Sequence, residues 1–284
     1  MLDANAGHQQ TLIAAVEKSP AAVALHDKKA WLSIFARYHV VEDPVGSSPH
    51  FGGLYDAKAA QRGHAVLDRF FDTFIAPNQI VFDVKKDVVC ANQVVRDLTV
   101  HITMSEKVQI AVPMHLLYEL VQEQGEWKIM HLAAHWELLP MMQQLLGKGL
   151  SCVPILLGLT LRMLKLQGVS GMLGFSKAAF TVGEDGKKNA QAFINAFNNK
   201  DHKTLATLLE PNALLSLPVG SEAITAAHAL QKNVQHPSIN KVMVSGDIVS
   251  ASLHLMQDSN EKQGVAFFEF NKKSGKMAAV RWYF

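Results

Sequence analysis

The stretch VVEDPVGS, residues 40–47, places a carboxylate where it could act as a general base. Asp43 precedes Pro44, and a residue before proline is pushed out of the helical region into an extended conformation. In an extended segment Asp43 shares a face with Val41, and Glu42 points the other way. A carboxylate beside an apolar wall loses hydration, which raises its pKa and its basicity. We expect Asp43 to face a pocket; the alternative is that it only caps a turn, where Asp-Pro is common.

His115 is the second residue with a chemical use. Strand parity puts it on one face with Pro113 and Leu117, where an imidazole N–H could donate to an oxyanion. The alternative, nearly as frequent, is a core histidine bound to a backbone carbonyl. His131 and His135 lie in a strand-like segment, where residues four apart are separated by about 13 Å. This spacing does not suit a metal, so we expect no metal site.

The letters PVGS of the first stretch return at residues 218–221. Residues 26–47 and 200–221 share six identities, which are Asp27 with Asp201, Lys29 with Lys203, and the four turn residues. Helical segments come first around each copy, and a meander of strand-like segments follows, which predicts α+β structure. We interpret this pattern as an internal duplication with domains 1–145 and 185–284, joined by a connector at 146–184.

The connector is apolar. Its run GLSCVPILLGLTL has thirteen residues before Arg162, which is too short to span a bilayer. The interpretation that we favour is a buried helix wedged between the two domains. The alternatives are a flap over an apolar pocket or a membrane-surface helix, with peripheral contact through residues 149–175.

Composition narrows the function classes. The chain of 284 residues has a formal net charge of +2 and no cluster of Lys and Arg, so nucleic acid is a poor candidate partner. The two cysteines, Cys90 and Cys152, stand outside any metal or redox spacing. The N-terminal MLDANAGHQQ is polar and lacks a signal-peptide core. We expect a cytoplasmic protein.

Four segments resemble the ketosteroid isomerase-like branch of the NTF2-like (SnoaL-like) superfamily: VEDPVGSSP (41–49), RGHAVLDRFFDTFIAPN (62–78), PMH (113–115) and HLAAHWE (131–137). The resemblance implies two cone-shaped domains, each a curved antiparallel sheet wrapped by N-terminal helices around an apolar cavity. It also implies that Asp43 is the base that removes a proton beside a ketone, and that Trp136 forms an aromatic wall.

The oxyanion donors of that branch are a tyrosine on the first helix and a protonated acid on a middle strand. Here these positions fall on Ser19, followed by the helix-breaking Pro20, and on His115. His50 or Tyr55, on the loop HFGGLYDAKAAQR, could replace the missing tyrosine, although surface decoration is the more usual role of such a loop.

The resemblance implies a steroid Δ-isomerase-like enzyme that needs no cofactor and acts on an apolar, steroid- or polyketide-like substrate. The substrate-binding residues would be Trp136, Tyr55, Val41 and Ser19. In the second copy Leu217 replaces the base and Val265 falls near the His115 position, so we expect it to be catalytically silent.

Two other functions stay open. One is a non-enzymatic binding protein for a lipid-like molecule that uses the same cavity. The other is an interaction protein in which the duplication serves assembly. In each case we expect the copies to pair as an intrachain pseudo-dimer, and a homo-oligomer is possible.

Overall fold

The computed structural model describes residues 2–53, 65–221, 223–225 and 234–284 and has one sheet in each half of the chain. The helices are α1 Leu2–Ala24, α2 Lys28–Ser33, α3 Ala65–Phe70, α4 Leu138–Leu146, α5 Val153–Arg162, α6 Gly168–Ser176, α7 Gly183–Asn198 and α8 His202–Leu208. The strands are β1 Phe35–Glu42, β2 His50–Gly52, β3 Gln79–Cys90, β4 Gln93–Ser105, β5 Val108–Glu123, β6 Glu126–His135, β7 Leu209–Ser216, β8 Val234–Ser245, β9 Ile248–Gln257, β10 Asn260–Phe270 and β11 Met277–Tyr283.

Apart from the edge strand β2, the strands of the two sheets follow the same order. The first is β2-β1-β6-β5-β4-β3 and the second is β7-β11-β10-β9-β8. Neighbouring strands are antiparallel except that β1 is parallel to β6 and β7 is parallel to β11. Two helices precede each sheet, α1 and α2 in the first half and α7 and α8 in the second. The predicted α+β class is therefore confirmed, and it occurs twice.

The residues shared by the two sequence copies make the same local structure. The Asp27 carboxylate caps α2 by accepting from the Ala30 N–H at 2.9 Å, and Asp201 caps α8 by accepting from the Thr204 N–H at 3.0 Å. In both PVGS turns the valine N–H donates to a carbonyl at the end of the last strand, at 2.9 Å for Val45 and 2.8 Å at the second copy. Each turn thus fixes the end of the first strand against the last.

The two sheets pack face to face. Val95, Leu117 and Ala133 of the first sheet lie in one buried cluster with Phe267 and Tyr283 of the second. Each sheet covers one face of the other sheet. The helices of the first half cover the opposite face of its sheet, which we call the inner face. A site between the helices and the sheet of the first half would therefore be lined by residues of the inner face.

The connector does not lie between the domains, and the prediction of a buried helix there is wrong. The sheets already cover each other, and α5 contains no buried residue. The helical stretch Gly149–Ala179 has 31 residues and is long and apolar enough to cross a membrane, yet only 11% of its most apolar 18-residue window is buried. Gly168, with φ of 72° and ψ of −179°, interrupts it between a π-helical turn at Met163–Gln167 and α6.

Candidate functional site

A cavity lies between the inner face of the first sheet and the helices. The centre of a water-sized sphere can reach about 180 Å³ of it, well above the roughly 10–15 Å³ that one water needs. The lining is predominantly apolar, with Met114 and Leu116 from β5 on one side. Ile155, Leu159 and Phe175 from the connector form part of the opposite side. The connector is therefore a wall of the cavity.

Asp43 and Val41 line this cavity, on the face that strand parity predicts. The Trp136 indole N–H donates to Asp43 Oδ1 at 2.6 Å. Burial raises the pKa of Asp43 from 3.8 to about 6, although the hydrogen bond from Trp136 opposes the shift. Glu42 points away from the cavity and accepts from His131 at 3.2 Å. A single carboxylate with raised basicity therefore stands in an apolar cavity.

Ser19 also lines the cavity, where the resemblance places a tyrosine. Its hydroxyl oxygen accepts from the Trp31 indole N–H at 3.2 Å, so its own hydrogen is left to point elsewhere. Pro20 does not end the helix, because α1 continues to Ala24. Ser19 can thus still donate one hydrogen bond, from a position on a continuous helix.

Tyr118 is the functional candidate that the sequence analysis missed. It lies on β5, lines the cavity and is 1% exposed, and no described residue hydrogen-bonds to its hydroxyl. Burial raises its pKa above the usual range, and the charge of Asp43 adds to that shift. The hydroxyl therefore keeps its proton and can donate it in a hydrogen bond. The alternation of Met114 and Leu116 along β5 extends to Tyr118 and was the available signal.

His115 does not line the cavity, and its prediction as an oxyanion donor is wrong. Its neighbours on β5 with even numbers face the cavity, so an odd-numbered residue faces the second sheet. The imidazole is fully buried, with Nδ1 2.9 Å from Ser250 Oγ and Nε2 3.2 Å from Ser252 Oγ. Burial lowers its pKa, although Asp97 opposes the shift. His115 is a neutral group between the two halves.

A partly buried ion pair stands beside His115. Lys241 Nζ of the second half lies 2.5 Å from Asp97 Oδ1 and donates to the Leu98 carbonyl at 2.5 Å. Ser252 Oγ donates to Asp97 Oδ2 at 2.5 Å. Burial raises the pKa of Asp97, but the nearby His115 and the hydrogen bonds from Lys241 and Ser252 outweigh it and hold that pKa below the usual range. These contacts fix the register of one half on the other.

The loop candidates do not complete the site. Tyr55 lies outside the described residues. His50 is on β2, edge-on to Phe70 with ring centroids 5.3 Å apart, and is not among the cavity-lining residues. Burial, together with the charge of Arg69, lowers its pKa to about 4.

The second half differs at the positions matched to Asp43 and His115. Leu217 is buried where Asp43 stands in the first half, and Val265 lies in the contact between the sheets, as His115 does. Phe193, Phe268 and Trp282 are fully buried in its core. Aromatic side chains thus fill the region where the first half has its cavity.

The turn that follows Asp43 touches the second half. A Cβ atom at Gly46 would lie 2.6 Å from the Gly246 Cα, in the turn between β8 and β9. The second copy of the turn faces the first half more loosely, since a Cβ at Gly220 would lie 4.0 Å from the Ala91 side chain. Ser245 Oγ also donates to the Trp136 carbonyl at 2.9 Å. The second half therefore supports both Asp43 and the residue that binds it.

Several solved structures resemble this chain. One is a Mycobacterium tuberculosis protein in complex with estradiol-17beta-hemisuccinate, with 23% identity, 46% of this chain and 96% of that chain covered, and a TM-score of 0.38. A computationally designed 17-OHP binder is 21% identical, and the match covers 46% of this chain and 95% of that chain, with a TM-score of 0.38. A Delta 5-3-ketosteroid isomerase from Mycobacterium sp. has 26% identity, coverage of 44% and 92%, and a TM-score of 0.37.

No protein-family model matches the sequence, and no curated protein matches it either. The two halves share one architecture: two helices precede a sheet whose first strand in the chain is parallel to its last. This arrangement, shared by both halves, is the one that the sequence resemblance to the NTF2-like superfamily implies, and the chain is similar to the ketosteroid isomerase-like structures named above.

Proposed function

We propose that the first half is a ketosteroid isomerase-like enzyme that moves a proton at the carbon next to a carbonyl on an apolar, steroid- or polyketide-like substrate. The observation that carries the proposal is the Asp43 carboxylate in an apolar cavity, with a pKa of about 6. A group with this pKa is mostly ionised at pH 7 and more basic than an ordinary aspartate, which is the balance that a general base needs.

The mechanism uses three cavity residues. Asp43 removes a proton from the carbon, and the electron pair of that C–H bond moves to the carbonyl oxygen to give a dienolate. Tyr118 donates a hydrogen bond to this oxygen, which carries the developing negative charge. Asp43 then returns the proton at the far end of the conjugated system, and the hydrogen bond from Trp136 holds the carboxylate in place throughout.

A non-enzymatic binding protein is the second candidate. It is favoured because one carboxylate oxygen of Asp43 is already bound by Trp136 and because the lining is otherwise almost entirely apolar. In that case Asp43 and Tyr118 would hold the polar end of a lipid-like ligand and no bond would change.

We also infer that the two halves are a duplication, with domains near 1–145 and 185–284 and the connector at 146–184. The second half is then a degenerate copy that serves as a covalently attached partner. Its contacts with the base-bearing turn and with Trp136 support this role.

Conjugated-enone formation from a β,γ-unsaturated ketosteroid tests the enzyme proposal, because the product absorbs in the ultraviolet. Native protein is compared with Asp43→Asn and with Glu42→Gln, a matched control that alters the adjacent carboxylate outside the cavity. Turnover lost in Asp43→Asn and kept in Glu42→Gln is the expected result. Absence of turnover in native protein contradicts steroid isomerisation. Native mass spectrometry then tests the binding function, which requires a bound ligand that Asp43→Asn retains.

A further inference from the structure

The connector carries an exposed apolar stripe. We define this stripe by six residues, each three or four positions from the next: Leu146, Leu150, Val153, Leu157, Leu161 and Leu164. All six side chains are exposed, Leu150 at 89% and Leu157 and Leu161 at 60%. Val153, Leu157, Leu161 and Leu164 have the spacing of one helix face along α5 and the π-helical turn that follows it, a face that normally packs against the core of a globular protein. Leu146, the last residue of α4, and Leu150, on a 3-10 turn, precede this face. Ten of the fourteen exposed large apolar residues in the described chain lie at 139–180.

The charges around the stripe have one sign. Between Leu138 and Gly183 the charged side chains are Lys148, Arg162, Lys165 and Lys177, with no Asp or Glu. The three lysines are exposed. An exposed apolar face bordered by basic residues alone is complementary to a bilayer surface that contains anionic lipids.

The geometry favours a helix pair that lies on a membrane over one that spans it. Gly168 divides the stretch, so that 153–167 and 168–179 are separate arms of about 22 Å and 18 Å at 1.5 Å per residue. Each is shorter than the roughly 30 Å of a hydrocarbon core. The chain direction therefore changes before either arm could cross.

Contacts with the first half hold the stripe outward. Arg162 Nε donates to the Thr73 carbonyl at 3.3 Å, and the Ser48 N–H donates to the Gly174 carbonyl at 3.0 Å. Ile155 and Leu159 on the opposite side of α5 line the cavity. The stripe is thus a fixed surface on the outer side of the cavity wall.

We propose that the stripe and its lysines dock this protein on the surface of an anionic phospholipid bilayer. A second copy of the chain is the competing occupant. A two-fold contact through the same patch would bring Lys148 and Lys165 of both copies together, which costs energy by like-charge repulsion, whereas an anionic surface would neutralise them.

Vesicle co-sedimentation at low salt tests the docking, with full-length protein and vesicles of phosphatidylcholine alone or with 30 mol% phosphatidylserine. The test variant is Leu157→Glu/Leu161→Glu. The matched control is Leu25→Glu/Leu214→Glu, which changes two residues that are exposed at 80% and 61% and lie outside the connector. Burying two leucines in lipid accounts for on the order of a 100-fold change in partitioning. We expect the test variant to lose binding by about that factor and the control to keep it.

A charge variant separates the electrostatic contribution to vesicle binding from the apolar one. Lys148→Gln/Lys165→Gln/Lys177→Gln should weaken binding to the phosphatidylserine vesicles on the order of 100-fold, since each basic residue near the surface contributes roughly a factor of five. Equal binding by all variants, or no binding by native protein, overturns the proposal. It is also overturned if native protein ignores vesicles but forms a dimer, by light scattering, that Leu157→Glu/Leu161→Glu dissociates.

Discussion

Replacing Asp43 with asparagine should stabilise the protein at neutral pH while removing the proposed base. The folded state raises the pKa of Asp43 from 3.8 to about 6, so the fold favours the protonated carboxyl group. This contribution to stability is fully present below pH 3.8 and is lost as pH rises through 6. Raising the pKa from 3.8 to about 6 corresponds to at most about 3 kcal/mol.

The difference between native and Asp43→Asn protein isolates this group. Asparagine keeps an oxygen that can accept from Trp136, so the substitution has little pH-independent cost. Urea unfolding from pH 4 to pH 8, followed by tryptophan fluorescence, should show nearly equal stabilities at pH 4. At pH 8 the variant should be more stable by about 1–3 kcal/mol. A difference that stays constant over this pH range would refute the reasoning, because it would mean that Asp43 has an ordinary pKa in the folded protein.

Three further substitutions separate the roles of the site residues. Tyr118→Phe should lower kcat for enone formation on the order of 100-fold, while the affinity for an unreactive ketosteroid, measured by calorimetry, stays the same. His115→Ala should destabilise the protein by about 2 kcal/mol in urea unfolding and leave kcat unchanged; a large fall in kcat would restore His115 to the site. Gly246→Ala places a Cβ 2.8 Å from the Gly46 Cα and should cost about 1–3 kcal/mol together with part of kcat, since the base-bearing turn must move. An unchanged kcat would show that the second half does not position Asp43.

The parts of the fold that depend on local rules could be predicted from the sequence. Proline after Asp43 and the alternation of a strand were enough to place Asp43 and Val41 together and Glu42 outside. The identity of Asp27 and Asp201 has an equally local cause, since both cap a short helix. The repeated order of helices and strands predicted the α+β class in both halves.

The site depended on a choice that local rules leave open. Carrying a position over from a related family fixes the strand but not which of two adjacent residues faces inward, and a shift of one residue reverses the face. For this reason His115 was predicted to face the cavity. It lies between the sheets, and Tyr118 lies in the cavity. The connector was predicted to be buried between the domains because it is apolar. Apolar composition alone does not show which surface, if any, covers a helix. Only the packing of the two sheets showed that α5 lies outside.

The two PVGS turns lie at different distances from the opposite half, which is possible in a single chain but not in a symmetric dimer. In a dimer of identical subunits both turns would meet their partners at the same distance, and any change would occur at both sites at once. Here Gly46 is in backbone contact with the other half, but a Cβ atom at Gly220 would lie 4.0 Å from the nearest side chain of the other half. Covalent linkage allows the first half to have a tightly held carboxylate at Asp43 while the second half, with Leu217 at the matched position, supplies the surface that supports its neighbour. The first half is therefore expected to tolerate mutation least around Gly46, and the second half to tolerate it least at Gly246, far from any catalytic group of its own.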